Sequence, residues 1–406
     1  MPIDAQRLSS GEPLRAWSIF LIFLRLGLTS FGGPVAHLGY FRDEFVQRRR
    51  WLDERGYADL VALCQFLPGP ASSQVGLAIG LLRGGYRGSL AAWAGFTLPS
   101  AVALTLFALG IARWGDALPG GFIQGLKIVA VAVVAQAVWG MARTLCSDGP
   151  RLAIMLAAAS AVLLLPFVWS QVAIIVVAGL IGLLAFRPAS GEVHPDLPVR
   201  IKMRTALSAL AAFFALLILL PVLAGVSGSQ ALAQVDAFYR TGALVFGGGH
   251  VVLPLLQAEV VPSGRVDNDA FLAGYGAAQA VPGPLFTFAA FLGASMNSGP
   301  SGWLGATICL LAVFAPSFLL VFGALPFWER LRGNRRSQAA LAGVNAAVVG
   351  LLLAALYDPV WTSAIKAAEH FILAVLAFAA LSYWKLPPWL VVIAGALGGG
   401  LLGLTS

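Results

Sequence analysis

One stretch of this chain occurs twice. Residues 25–34 read R-L-G-L-T-S-F-G-G-P and are followed, after a charged segment, by Q-F-L-P-G-P at 65–70. Residues 240–250 read R-T-G-A-L-V-F-G-G-G-H and are followed, after a polar segment, by Q-A-V-P-G-P at 279–284. The copies are offset by 215 residues at the first motif and 214 at the second. Later landmarks keep the order: Phe96 with Pro99-Ser100 against Phe314 with Pro316-Ser317, then Gly125-Leu126-Lys127 against Gly343-Val344-Asn345. Self-similarity of this kind sets the architecture before any single residue is interpreted. The expected division is a first repeat over 1–187, a linker over 188–204 and a second repeat over 205–406.

Composition decides the surroundings. The chain is 59% hydrophobic and 11% charged, against roughly 25% charged in soluble domains. Apolar runs near the roughly 20 residues that span a bilayer recur at 90–111, 152–166, 172–186 and 339–357. The expected class is an all-α polytopic membrane protein; a β-barrel would show short alternating segments. The amino-terminal tail has no A-x-A-like cleavage site, so no cleaved signal peptide is read. The net charge of +8 comes from arginines clustered between apolar runs. That pattern suits orientation in a membrane rather than nucleic-acid binding. Cys64, Cys146 and Cys309 have neither metal-ligand nor disulfide spacing, and no metal or cofactor is expected.

Glycine and proline break the apolar runs at 32–34, 68–70, 247–249 and 282–284. If the four interrupted segments cross fully, the basic clusters at 48–55 and 330–336 fall on opposite sides. If each is a re-entrant hairpin, nearly all the arginines fall on one side, which the positive-inside rule prefers. The first pair of hairpins then enters from the cytoplasm and the second pair from outside. The expected fold is two inverted repeats whose broken helices meet near the bilayer midplane. The amino terminus is cytoplasmic and the carboxyl terminus periplasmic. Irregular backbone at that depth must be buried in protein or line a cavity, and inverted-repeat transporters bind substrate there.

The candidate binding residues follow from this placement. Arg25 and Arg240 are intramembrane cations at equivalent positions, and neither is expected to find its counter-ion within its own helix. Such a charge is costly in lipid. It is either a structural cap or an oxyanion ligand, for which guanidinium supplies a planar fork of donors. Phe31, Gly32 and Gly33, with Phe246, Gly247 and Gly248, allow close backbone approach. Pro68-Gly69-Pro70 and Pro282-Gly283-Pro284 precede half-helices whose free N–H groups would face the midplane. Ser72, Ser73 and Gln74 follow in the first copy, and Phe286 and Thr287 in the second. Gln65 and Gln279 are neutral donors or braces between hairpins. Lys127 and its counterpart Asn345 are further ligands; snorkelling to the interface is the bland reading of Lys127. His37, Glu44 and Glu259 are coupling candidates, and His250 is placed among the ligands. A hydrogen-bonded residue at the hairpin tip is the plainer account of either histidine. No H-E-x-x-H, G-x-S-x-G or Walker loop is present, so no enzyme is expected.

At these residues the sequence resembles the chromate ion transporter family, in its long two-domain form. The resemblance rests on Phe31–Pro34, Pro68–Pro70, Phe246–His250, Pro282–Pro284 and the basic run from Arg48 to Leu52. It implies efflux of chromate across the bacterial inner membrane, with sulfate as a related oxyanion, and hence chromate resistance. The partners are then such an oxyanion and the lipid bilayer, with no nucleic acid; a homodimer is the assembly considered. Anion exchange or proton coupling is the variant that His37 and His250 motivate. A carrier for lipid-linked phosphate is the rival reading, because arginine-bearing hairpins also suit a phosphate head group.

Overall fold

The computed structural model describes residues 14–114, 120–165, 170–186, 201–246, 248–328 and 334–405. Gly247 and most of the expected linker lie outside them. Every regular element among the described residues is helical. Among the described residues, five helices are long and apolar enough to cross a membrane, and shorter apolar helices accompany them. The chain is therefore an all-α polytopic membrane protein.

The first half opens with four short rods. Helix α1 (Ala16–Thr29) ends at Ser30. Gly32, at φ 99°, then adopts a left-handed conformation that a side chain would resist, and Pro34 starts α2 (Gly33–Arg42). Helix α3 (Glu54–Phe66) begins where Asp53 accepts a hydrogen bond from Gly56 N and stops at Pro68-Gly69-Pro70, with Gly69 at φ 124°. Helix α4 (Ala71–Trp114) follows at once and folds back on itself at Gly84 and Gly85. The sequence divides this stretch into a broken run and a separate span at 89–112. The structure joins them through a glycine kink with no loop. At about 1.5 Å per residue, α1 is about 21 Å long and the first arm of α4 about 20 Å. Both fall short of the roughly 30 Å hydrocarbon core.

These rods return to the end they started from. Leu14 N donates to Arg83 O at 2.8 Å, and the Arg83 guanidinium lies over the Trp51 ring at 5.4 Å. Between these ends and the breaks, Phe23 of α1 stacks on Phe45 at 5.0 Å and meets Phe41 edge-on at 5.7 Å. So α1–α2 and α3–α4 are helical hairpins with their open ends together at Trp51.

After α5 (Gly120–Leu145), α6 (Gly149–Leu164), α7 (Ser170–Ala185) and α8 (Met203–Ser227), the pattern returns. Helix α9 (Gln230–Leu244) breaks before α10 (Val252–Val260), and α11 (Asn268–Ala278) breaks before α12 (Phe288–Ala294). Here Arg265 Nη1 donates to Ala233 O at 3.5 Å. Asn297 N donates to Arg265 O at 2.8 Å, and Gln234 Nε2 donates to Pro300 O at 3.0 Å. The open ends of these hairpins meet at Arg265. Helix α13 (Gly302–Ala324) runs antiparallel to the second arm of α4: Tyr86 meets Phe322 at 5.1 Å, and Trp93 meets Phe318 at 5.6 Å. The Trp51 end and the Arg265 end therefore lie at opposite ends of the molecule.

The outer helices cross over between halves. Helix α5 packs against α15 (Ala368–Ser382) and α16 (Pro388–Thr405), whereas α14 (Arg335–Ala355) packs against α6 and α7. Small residues let helix backbones touch, as in other membrane helix pairs. A Cβ on Gly27 would sit 2.7 Å from the carbonyl oxygens of both Gly95 and Phe96. Cysteines introduced by Ser263→Cys and Ser337→Cys should label from opposite faces of sealed vesicles. Labelling from one face would refute this arrangement.

Candidate functional site

The four helix breaks meet, and they meet reciprocally. Gly69 N, in the first Pro-Gly-Pro turn, donates to Val245 O at 2.7 Å, in the break after α9. Gly283 N, in the second such turn, donates to Ser30 O at 2.9 Å, in the break after α1. The proline N atoms beside each glycine carry no hydrogen, so the glycine N–H is the donor the turn has to offer. The space around each glycine is closed by the other half. A Cβ on Gly69 would lie 2.8 Å from Ser317 Oγ, and one on Gly283 would lie 2.9 Å from Ser100 Oγ. The tips of α2 and α10 also adjoin: a Cβ on Gly249 would be 3.1 Å from Pro34 Cγ, and one on Gly33 3.8 Å from His250 Nε2.

Neutral polar groups collect at this junction. His37 Nδ1 lies 3.3 Å from Ser72 Oγ, with its ring edge-on to Phe96. Gln74 Nε2 donates to Pro68 O at 2.7 Å. His250 Nδ1 lies 3.0 Å from the Tyr275 hydroxyl, and Thr287 Oγ1 donates to Pro284 O at 2.7 Å. The hydroxyls of Ser30, Ser73, Thr97 and Ser317, with Gln74 Oε1, are buried and have no hydrogen-bond partner in the protein. Leaving a buried polar atom unsatisfied costs about 1–3 kcal/mol. A cluster of them at the meeting of four breaks is what a site for a polar ligand presents when the protein alone is considered.

The charged candidates lie elsewhere. Arg25 is exposed on α1. Arg240 is buried and paired: its Nη2 is 2.8 Å from Asp236 Oδ2 and 3.1 Å from Glu259 Oε2. The counter-ion thus sits one turn back in the same helix, contrary to the expectation from sequence, and an i, i+4 acid–base pair was there to be read. Lys127 Nζ is held by Asp269 Oδ1 at 2.9 Å, at the start of α11. Its counterpart Asn345 is half-buried on α14. Gln65 is exposed beside Arg42 and Tyr57. Phe31 approaches Trp389 at 6.5 Å, and Phe246 packs on the main core. Glu44, at the mouth of the first hairpin, bonds Arg49 Nε at 2.6 Å and Arg48 Nη1 at 3.1 Å. Burial raises its carboxyl, but hydrogen bonds and charge from Arg49 and Arg48 outweigh that and hold it below the usual range. Ser30, Thr97, Ser100, Ser317 and Tyr275 are not among the sequence-based candidates. The Pro-Ser pairs at 99–100 and 316–317 signalled two of them as recurring landmarks.

Long apolar helices, paired breaks and a buried neutral polar junction define a polytopic membrane protein with irregular backbone at membrane depth. The chromate transporter family model matches this chain twice, over residues 17–183 and 232–400, and the chain belongs to that family. It is 29% identical over 424 residues to a chromate transport protein of Pseudomonas aeruginosa, covering 98% of this chain and 95% of the relative. It is 25% identical over 392 residues to a chromate transport protein of Cupriavidus metallidurans, covering 94% and 92%. An uncharacterized transporter of Bacillus subtilis is 30% identical over 171 residues, 41% of this chain but 93% of that protein. No solved structure matches the chain significantly.

The ion pairs carry a stability prediction. Arg240→Ala leaves Asp236 and Glu259 without their shared guanidinium and should cost about 3–5 kcal/mol, the scale for breaking a buried pair. Arg25→Ala, at an exposed position, should change stability by no more than about 0.5 kcal/mol. Thermal unfolding of the two purified variants in detergent separates them, and equal losses would contradict the structure.

Proposed function

We propose that the chain is a secondary transporter that exports chromate, or a tetrahedral dianion such as sulfate, across the bacterial inner membrane. The observation that carries this reading is the cluster of unpartnered buried polar atoms at the meeting of the four breaks, in a chain of the chromate transporter family. The substrate is held by the hydroxyls of Ser30 and Ser73 and by the free N–H groups at the starts of α2 and α4. Those helix ends each present roughly half a positive charge. Arg240 and Lys127 already have carboxylate partners and are not counted among the ligands. Neutral donors suit a carrier, because a ligand held by fixed opposite charges would be slow to leave.

In the membrane the halves at 1–187 and 205–406 are inverted repeats, with the amino terminus cytoplasmic. An inside-negative potential contributes about 2.3 kcal/mol per charge per 100 mV. A dianion therefore gains about twice that on leaving, which drives export without ATP.

Ser73→Ala separates this reading from a structural one. Removing an unpartnered hydroxyl should leave stability intact or raise it. If Ser73 holds the anion, chromate or sulfate affinity falls by the worth of one hydrogen bond, about 0.5–1.5 kcal/mol, or about 2- to 12-fold. Binding to the purified protein, and flux into proteoliposomes at an imposed potential, are the measurements. Unchanged affinity in both Ser73→Ala and Ser30→Ala would remove the junction as the site. Flux that ignores the potential would remove it as the driving force.

A further inference from the structure

The two halves are not covered alike. In the second half, α11 lies along α5. A Cβ on Gly276 would sit 2.5 Å from Leu126 O, Lys127 Nζ binds Asp269 Oδ1 at 2.9 Å, and Asn268 Nδ2 donates to Ser363 Oγ at 2.7 Å. Every residue from Phe271 to Ala278 is buried.

Its counterpart α3, offset by 214 residues, has no such cover. Ala58, Ala62 and Gln65 are exposed and border a cleft of about 380 Å³ that also includes Gly39, Arg42 and Glu54. Arg42 and Glu54 pair at 2.8 Å at its mouth. Gln65, deeper in, stands three residues before Pro68. A surface meant for lipid would not carry these polar groups. The cleft opens beside the exposed Arg42–Glu54 pair and extends to Gln65, whereas the equivalent face of α11 is covered by α5.

Duplicated sequence implies a second arrangement. At offsets of 214 and 218, the contact of Gly276 with Leu126 has its counterpart in Ala62 with Val344. The contact of Asp269 with Lys127 has its counterpart in Arg55 with Asn345. Ala58 and Ala62 give α3 a small-residue face on which α14 can close. The existing latch has one end in water: Asp269 is 68% exposed, while Lys127 is buried.

We infer that the protein alternates between two arrangements and that Lys127–Asp269 is the latch of the one described, open at the Trp51 end and shut at the Arg265 end. In the other arrangement the latch parts, α5 leaves α11, and α14 closes over α3 with Ala62 against Val344. This gives the transport reading above its two access states. It is tested by a readout that needs no chromate movement.

In a background with Cys64, Cys146 and Cys309 replaced by alanine, Ala62→Cys should react readily with a water-soluble maleimide applied from the Trp51 side. Adding Asp269→Asn releases the latch and should slow that reaction several-fold. Without substrate, Ala62→Cys and Val344→Cys should be joined by a short bis-maleimide, and faster when Asp269→Asn is added. Prior cross-linking of Lys127→Cys to Asp269→Cys should prevent that joining and stop flux. Labelling at Ala62 that is indifferent to Asp269→Asn, together with no Ala62–Val344 cross-link, would overturn the inference. Because labelling is read without substrate, a chain that carried no chromate could still pass or fail this test.

Discussion

The structure depends on how backbone polar groups are satisfied where helices stop at membrane depth. An amide or carbonyl left bare in hydrocarbon costs several kcal/mol, so a broken helix must bring a partner with it. Here each half supplies the partner the other lacks: Gly69 N reaches Val245 O, and Gly283 N reaches Ser30 O. Neither of these two glycine amides is satisfied within its own half. The halves are thus bound together at the place where the helices are weakest, and side chains arriving with the breaks have no choice but to be neighbours. That is why Ser30, Ser73, Gln74 and Ser317, remote in sequence, end in one buried polar junction.

A junction of neutral donors needs a rigid frame, because nothing in it is strong alone. The frame comes from close helix contacts that only glycine allows, such as Gly27 on Gly95 and Gly242 on Val313. It also comes from aromatic clusters packed between the hairpin arms, Phe23 with Phe41 and Phe45 in one half and Phe288 with Phe271 and Tyr275 in the other. The buried Arg240–Asp236–Glu259 group belongs to this frame. It ties α9 to α10 across the second hairpin, where the first half uses aromatic stacking.

The breaks were legible in the sequence because glycine and proline act locally: Gly32, Gly69 and Gly283 carry the positive φ that each turn requires. Membrane insertion was legible in the apolar runs. That the breaks come together was expected from their depth, but not their pairing, since no local pattern says which carbonyl an amide 176 or 253 residues away will find. Lys127 and Asp269 lie 142 residues apart, so a lone lysine in an apolar run looked like a candidate ligand. Asp236 and Arg240 differ: their spacing of four is the one helical pairing that sequence displays openly. The junction's hydroxyls were the hardest to single out, because a serine beside a proline is as common in a turn as in a site.

Helix α8 shows how little sequence an orientation can require. The two family matches end at 183 and resume at 232, and α8, at 203–227, falls in the gap. It has no counterpart before α1 among the described residues. Its apolar window has a mean hydropathy of 2.7, it carries no charge after Arg204, and most of its surface is exposed. The hydroxyl of Tyr239, on α9, donates to Phe213 O at 3.0 Å, which fixes α8 beside the second hairpin pair. On the proposed inverted arrangement, the hairpins of the first half return to their own side and the four spans after them bring the chain back to where it began. One extra crossing is then what turns the second half over. Such a helix need only be long, apolar and odd in number, and it contributes nothing to the junction. On that arrangement the Gly-Gly and Pro-Gly-Pro breaks are duplicated unchanged in kind, while a featureless span decides which way each copy faces.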